Sequence, residues 1–230
     1  HGLSLTVLGD GSILHLDRTG PKAWTVVHTA ADGSALADYT HRRAVADVAT
    51  HPTDDASGIV TLLSRGVAAI DASNGRLGLT PIAEAPDIRP VASTGASIAT
   101  ITRGSSARWL EVDGATGLVT DVAKAPAATI DLVAHPIEPG AMLALAGGVA
   151  KRRLYVLRPG QSPQPAHVVP GATCMATVAA GDPRLVVGYT DGRVEVRDLT
   201  GADGPRPLDA GPGPVWGLGV HDTDVLVGTG

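Results

Sequence analysis

The chain has 230 residues, with 18 Lys and Arg against 23 Asp and Glu, and its formal net charge is −5. Apolar residues make up 43% of it, which is enough for a packed core and too much for a disordered chain. The mild negative charge argues against a nucleic-acid surface, and no stretch approaches the roughly 18 apolar residues of a transmembrane helix. We therefore expect neither a nucleic-acid partner nor insertion into a membrane.

Short apolar stretches recur along the whole chain, and apolar and polar residues alternate in them as in half-buried strands. The first are LSLTVLG (3–9), ILHLD (13–17) and AWTVVHT (23–29). Units of four predicted strands follow at about 45–82, 88–123, 129–169 and 174–209. PVWGLGV (214–220) and DVLVGTG (224–230) end the series. The local alternative to strands is an Ala-rich helix, for example across 34–50.

The four-stranded units repeat with a period of about 42 residues. AVADVATHP (44–52) reappears as TIDLVAHP (129–136), so that His51 and His135 are 84 residues apart. A second motif repeats in phase, an alternation that ends in Asp and a Gly turn, as in VAAIDASNG (67–75) and WLEVDGATG (109–117). Four short strands per unit of this length predict the blade of a β-propeller. Stacking blades around an axis covers the sheet faces that a single blade would expose.

Three of these segments resemble known propeller families. VEVRDLTG (194–201), preceded by TDG (190–192), resembles the end of a WD-repeat blade, although Arg197 stands where that family usually has Trp. VAAIDASNGRL (67–77) and LEVDGATGLV (110–119) resemble the blade motif of quinoprotein-like propellers, without its final Trp. The chain is therefore identified as resembling the WD-repeat and quinoprotein-like superfamily, and we expect an all-β protein of four-stranded blades.

The two ends of the chain decide the number of blades. With strands lettered A to D outwards from the axis, we predict that the three N-terminal strands are B, C and D of blade one. The two C-terminal strands are then A and B of another blade. Residues 1–230 are thus expected to form a single propeller domain of about five blades that starts and stops inside a blade. Either the C-terminal strands complete the first blade, or the ring has six or seven blades; we prefer the second alternative.

The resemblance implies that the B–C and D–A loops share one face of the ring. A mixed ring of charges on that face would suit a protein partner or an anionic ligand. The predicted B–C turns place these binding candidates there: Asp10, Arg65, Arg103, Lys151, Arg152 and Asp191. His51, His135 and His221 fall in A–B loops on the other face, where we expect histidine to cap turns and not to bind metal.

The sequence favours a non-catalytic scaffold that mediates protein–protein interaction or sensing within a larger protein or assembly. The partner would be another protein or an adjacent domain of the same parent protein. We identify no catalytic residue, no metal ligand and no cofactor, because the phosphate-binding, nucleophile-elbow and zinc motifs are all absent from the sequence. The alternative is a propeller enzyme with an axial site, such as a quinoprotein-like dehydrogenase, a lactonase or a lyase. The single cysteine leaves the compartment open, with a slight preference for the cytoplasm.

Overall fold

The structure, a computed structural model, describes residues 4–17, 24–41, 45–54, 56–62, 65–72, 77–85, 87–179, 182–199 and 204–229. These residues form antiparallel strands and a single 3₁₀ turn, Val149–Lys151. Five four-stranded sheets and one two-stranded sheet result, and within each the strands follow one another in chain order. The predicted all-β propeller of four-stranded blades is confirmed. Predicted turn residues 18–20, 73–75 and 200–201 lie outside the described residues.

The strands of the first three blades have the following bounds. Blade one contains β1 (Leu5–Val7), β2 (Ile13–Asp17), β3 (Trp24–Thr29) and β4 (Ala35–His41). Blade two contains β5 (Val45–Thr50), β6 (Ser57–Leu62), β7 (Gly66–Asp71) and β8 (Gly78–Ala83). Blade three contains β9 (Ile88–Thr94), β10 (Ser97–Thr102), β11 (Arg108–Asp113) and β12 (Val119–Lys124).

The remaining sheets continue in the same way. Blade four contains β13 (Thr129–Ala134), β14 (Met142–Ala146), β15 (Arg153–Leu157) and β16 (Gln164–Val168). Blade five contains β17 (Ala172–Val178), β18 (Arg184–Tyr189), β19 (Val194–Asp198) and β20 (Arg206–Leu208). The two-stranded sheet contains β21 (Val215–His221) and β22 (Asp224–Thr229).

The strand letters predicted for blade one are wrong. The three predicted strands are the first three of a four-stranded sheet, so they are A, B and C. The fourth strand is β4, where the sequence also allowed a helix. Strand β1 packs against the innermost strands β5 and β21, which confirms its place beside the axis. The loop between β1 and β2 therefore lies at the opposite end of the ring from the predicted one.

The two-stranded sheet closes the ring between blade five and blade one. Strand β21 packs against β17 on one side and β1 on the other, and it pairs only with β22 among the described residues. A Cβ atom placed on Gly219 would lie 2.5 Å from Leu5 Cδ1, so glycine is what permits the close approach of β21 to β1. The C-terminal strands thus form a sheet of their own and do not complete blade one.

The hydrophobic core is divided into layers between neighbouring blades. Second strands such as β6 and β14 are buried along their whole length, because a blade covers each of their faces. The outermost strands β16 and β20 are exposed throughout. This gradient explains why the inner strands read as continuous apolar runs in the sequence.

Hydrogen bonds across the blade junctions recur with the repeat. The Ser4 hydroxyl lies 3.2 Å from the amide nitrogen of Val48, which donates to it. The Val91 amide donates to Asp47 Oδ2 at 2.8 Å, and the Met175 amide donates to Asp131 Oδ2 at 2.5 Å. Each bond joins residues 44 positions apart, so one polar side chain fastens an innermost strand to that of the next blade.

Candidate functional site

The ring has two ends with different charge. We call the end formed by the A–B and C–D loops the aspartate end; its described loop residues include Asp10, Asp32, Asp54, Glu138, Asp182 and Asp222. We call the end formed by the B–C and D–A loops the arginine end. The basic residues in its described loops are Arg65, Arg103, Lys151, Arg152 and Arg193, and the acidic ones are Asp191 in a B–C loop and Glu84, Asp87 and Asp209 in D–A loops.

Charged and polar groups at the aspartate end mostly hold their own turns. Asp113 Oδ1 accepts hydrogen bonds from the Thr116 amide at 2.7 Å and the Ala115 amide at 3.0 Å. The bond from the Thr116 amide is the largest of the contributions that lower the pKa of Asp113. His135 Nδ1 accepts from the Glu138 amide at 3.0 Å, and His51 Nδ1 accepts from the Thr53 amide at 3.3 Å. The two histidines cap turns, as expected from the sequence.

Asp10 does not lie with the other predicted binding residues. It follows β1, so it belongs to the A–B loop of blade one and to the aspartate end. A Cβ atom on neighbouring Gly11 would lie 3.7 Å from Nε2 of His221, a residue of that same end. Asp10 accepts a 2.6 Å hydrogen bond from the Ser12 hydroxyl, which lowers the pKa of Asp10. The error follows from the wrong strand letters of blade one.

The other five predicted residues do lie at the arginine end. Arg65, Arg103 and Lys151 are exposed, in the B–C loops of the consecutive blades two, three and four. Their side chains form no hydrogen bond or ion pair with the described part of the chain. Asp191 is exposed as well, but Arg193 Nε donates to it at 2.8 Å, and this bond lowers the pKa of Asp191. Three cations on adjacent blades are therefore available for contact with another molecule.

Arg152 holds two blades together and is not part of this exposed surface. Only 7% of it is exposed. Its Nη1 donates to the backbone oxygen of Ala172 at 2.5 Å, and its Nε donates to that of Gly147 at 3.1 Å. The guanidinium thus connects the B–C loop of blade four to the innermost strand of blade five. Its neighbour Lys151 is exposed, so adjacent basic residues have different roles.

An axial cavity of about 1310 Å³ opens inside the ring. The innermost strands of all blades form its wall, and its charged lining residues are Asp47, Asp131, Arg89, Arg103 and Arg152. The three arginines all lie toward the arginine end. Trp216 is only partly buried and lines the cavity together with Trp24.

The two cavity carboxylates are held by backbone amides. Asp131 accepts from the Met175 and Leu132 amides, and Asp47 accepts from the Val91 and Val48 amides. Enclosure by the blades raises the pKa of Asp131 to about 8, and the negative charge of Asp47 adds to this rise. Burial also raises the pKa of Asp47. Asp131 therefore carries less negative charge near neutral pH than an exposed carboxylate would.

Cys174 also lines the cavity. Burial raises the pKa of its thiol to about 12, and the nearby Asp131 contributes to the rise. A thiol with this pKa is almost fully protonated at neutral pH and is a poor nucleophile. Within the ranges that the structure describes, no group of three or more His, Cys, Asp or Glu side chains could hold a metal ion.

The sequence interpretation missed Asp47, Asp131 and Arg89. A usable signal was present, because Asp47 and Asp131 occupy the same position of two repeated innermost strands. A charged residue inside an apolar strand marks a special environment. Arg89 lies in β9, whose sequence resembles the other innermost strands only weakly. The repeat therefore provides no second arginine at the same position that would have drawn attention to it.

No family model matches the sequence, and no curated protein matches it. Three solved structures resemble the fold. A chain of the nidogen/laminin complex has 11% identity and a TM-score of 0.67, over 99% of this chain and 86% of that one. A luciferin-regenerating enzyme has 13% identity and a TM-score of 0.69, over 94% and 78%. TolB from Acinetobacter baumannii has 14% identity and a TM-score of 0.63, over 89% of this chain and 53% of the TolB chain.

These likenesses support the propeller fold alone, because one fold hosts unrelated functions at such low identity. Among the described residues, no helix has the length and apolar character needed to cross a membrane.

Proposed function

We propose that this chain is a non-catalytic propeller scaffold that binds an acidic protein surface, or an adjacent domain of its parent protein, through its arginine end. The observation that carries the proposal is the row of exposed cations Arg65, Arg103 and Lys151 on consecutive blades, whose side chains form no hydrogen bond or ion pair with the described residues. Charged groups that are free of internal partners increase the association rate and the specificity of a protein contact. The WD-repeat or quinoprotein-like origin of the repeats is part of the same proposal.

The axial-enzyme alternative has less support. An active site in the cavity would need charged groups free to move protons or to contact substrate. Both Asp47 and Asp131 accept backbone amides through each of their oxygens, and the thiol of Cys174 is protonated at neutral pH. The hydrogen bonds of Asp47 and Asp131 to Val91 and Met175 join neighbouring blades, which is a structural role.

The first step of the test is to find which end touches a partner. A photo-crosslinking residue is placed at position 65 or 151 at the arginine end, and at position 10 or 54 at the aspartate end. Each protein is irradiated with an extract of the source cells. We expect crosslinks to one protein from positions 65 and 151 only, and crosslinks from positions 10 and 54 alone would overturn the proposal.

The second step measures affinity for the purified partner with Arg65→Glu combined with Lys151→Glu. We expect Kd to rise about tenfold or more, since each reversal replaces an attraction of up to ~1 kcal/mol by a repulsion of similar size. The matched control is Asp10→Lys combined with Asp54→Lys, which should leave Kd within about twofold. Equal losses in both double variants would contradict docking through the arginine end.

A further inference from the structure

The charged residues of the axial cavity fall into two groups. Asp47, Asp131 and Arg152 have their charged atoms hydrogen-bonded to backbone amides or carbonyls, so the fold itself explains them. Arg89 and Arg103 differ, because neither guanidinium has a hydrogen bond to any residue that the structure describes. The cavity therefore contains two guanidinium groups that lack a hydrogen-bond acceptor among the described residues.

Arg89 and Arg103 belong to the same blade and lie at the same end of the cavity. Arg89 is the second residue of β9, which starts at the arginine end, and Arg103 directly follows β10, which ends there. The Arg103 amide donates to the backbone oxygen of Asp87 at 2.7 Å, which holds this loop beside the start of β9. Both residues line the cavity, at its mouth.

The environment of Arg89 is unfavourable without a further partner. Its Nε is enclosed by protein and has no hydrogen-bond acceptor. Burial lowers the pKa of Arg89, the positive charge of Arg103 lowers it further, and Asp47 acts in the opposite sense. An unsatisfied buried donor and a nearby like charge both cost free energy, and an anion placed between the two guanidiniums would remove both costs.

We propose that Arg89 and Arg103 form a binding site, at the arginine end of the axial cavity, for a small molecule with a carboxylate or phosphate group. Guanidinium groups suit such anions because their planar N–H donors match two oxygens at once. Thr102 and Ser105 border the same mouth. The cavity exceeds the roughly 300–1,000 Å³ of typical small-molecule pockets, so it can hold the body of such a ligand.

This site shares Arg103 with the docking surface of the proposed function, and its other residue, Arg89, lies outside that surface. Arg65 and Lys151 do not line the cavity, and Arg89 is not among the exposed loop cations. Arg65→Glu with Lys151→Glu should therefore leave the affinity for a small anion within about threefold, which keeps the two proposals distinguishable.

The test is isothermal titration calorimetry with inorganic phosphate and with citrate, each at constant ionic strength set by chloride. The proteins are the unmodified chain, Arg89→Met, Arg103→Met and the control Arg184→Met, which removes an arginine at the aspartate end. Circular dichroism and thermal unfolding check that each variant is folded. Arg89→Lys is added because it keeps the charge but loses the planar fork.

We expect saturable binding of at least one anion with one site per chain. Arg89→Met and Arg103→Met should each weaken it by at least about tenfold, Arg89→Lys should weaken it less, and Arg184→Met should leave it unchanged. A response to phosphate alone or to citrate alone identifies which group the site takes. The proposal is overturned if neither anion binds saturably up to millimolar concentration, or if folded Arg89→Met binds as the unmodified chain does.

Discussion

The two ends of the ring use their charged residues differently. At the aspartate end, Asp113 and His135 accept hydrogen bonds from the backbone of their own turns. At the arginine end, Arg65, Arg103 and Lys151 are exposed, and their side chains bond to none of the residues described. Charged and polar side chains thus stabilise their own turns at one end, while three exposed cations are available for contact at the opposite end. Polar loop residues alone do not identify a binding face; their internal partners must also be known.

The cavity between the two ends offers the largest effect, through Asp131. Its pKa of about 8 in the folded protein lies far above its ordinary value of 3.8. The folded state therefore binds more protons than the unfolded state between those pH values, so stability falls as pH rises through this window. We expect the free energy of unfolding to decrease by on the order of 5 kcal/mol from pH 4 to pH 8 through this group.

Urea unfolding of the unmodified chain and of Asp131→Asn, at several pH values across this window, checks the prediction. The asparagine cannot titrate, so the decrease should be markedly smaller in the variant, although Asp47 contributes a residual change of the same sign. Asp113→Asn is the control. The pKa of Asp113 is lowered in the folded protein, so its titration makes stability rise with pH, whereas that of Asp131 makes stability fall. Identical pH profiles for Asp131→Asn and the unmodified chain would show that Asp131 does not titrate in this window.

Arg152 and Lys151 test the comparison inside the arginine end itself. Arg152→Met removes two hydrogen bonds from a buried guanidinium to backbone oxygens and leaves those acceptors unpaired. We expect the free energy of unfolding to fall by about 2–3 kcal/mol. Lys151→Met, at the adjacent exposed position, should change it by less than ~0.5 kcal/mol. Urea unfolding of both variants measures the difference, and a similar loss in each would mean that Arg152 does not hold the blades together.

A smaller effect compares one residue from each end. Asp113→Ala removes the acceptor of three hydrogen bonds in an exposed turn. We expect a loss of about 1 kcal/mol, as for the removal of a single capping side chain. Arg65→Ala at the arginine end should leave stability within ~0.5 kcal/mol, since its side chain is exposed. Thermal unfolding of the two variants decides the matter, and an equal shift in Tm would remove the distinction between the ends.

Much of the fold is predictable from the sequence because its signals are local. Alternation marks each strand, and Asp and Gly mark turns such as 113–117, where Gly117 has a φ of +71° and a Cβ would lie 2.2 Å from the Ile82 oxygen. The period of about 42 residues follows from four strands and their loops. The blades from β5 to β20 were predicted with nearly correct bounds for this reason.

Blade one shows where local signals fail. The GDG turn at 9–11 resembles the TDG turn at 190–192, yet the first follows an innermost strand and the second follows a second strand. The local sequence pattern indicates that a tight turn joins two antiparallel strands. It does not indicate how far these strands lie from the axis of the ring. That distance depends on β4 and on the packing of β1 against β5 and β21.

The sequence by itself thus determined the repeat, the strands, the turns and the propeller class, because each depends on residues close together in the chain. The tertiary structure alone decided which end each loop occupies, and it separated Arg152 from Lys151 by burial. It also brought Asp47, Arg89 and Asp131 to one cavity from three blades about 42 residues apart. The physical reason is that burial and charge–charge interactions depend on distances through space, and only the closed ring sets those distances.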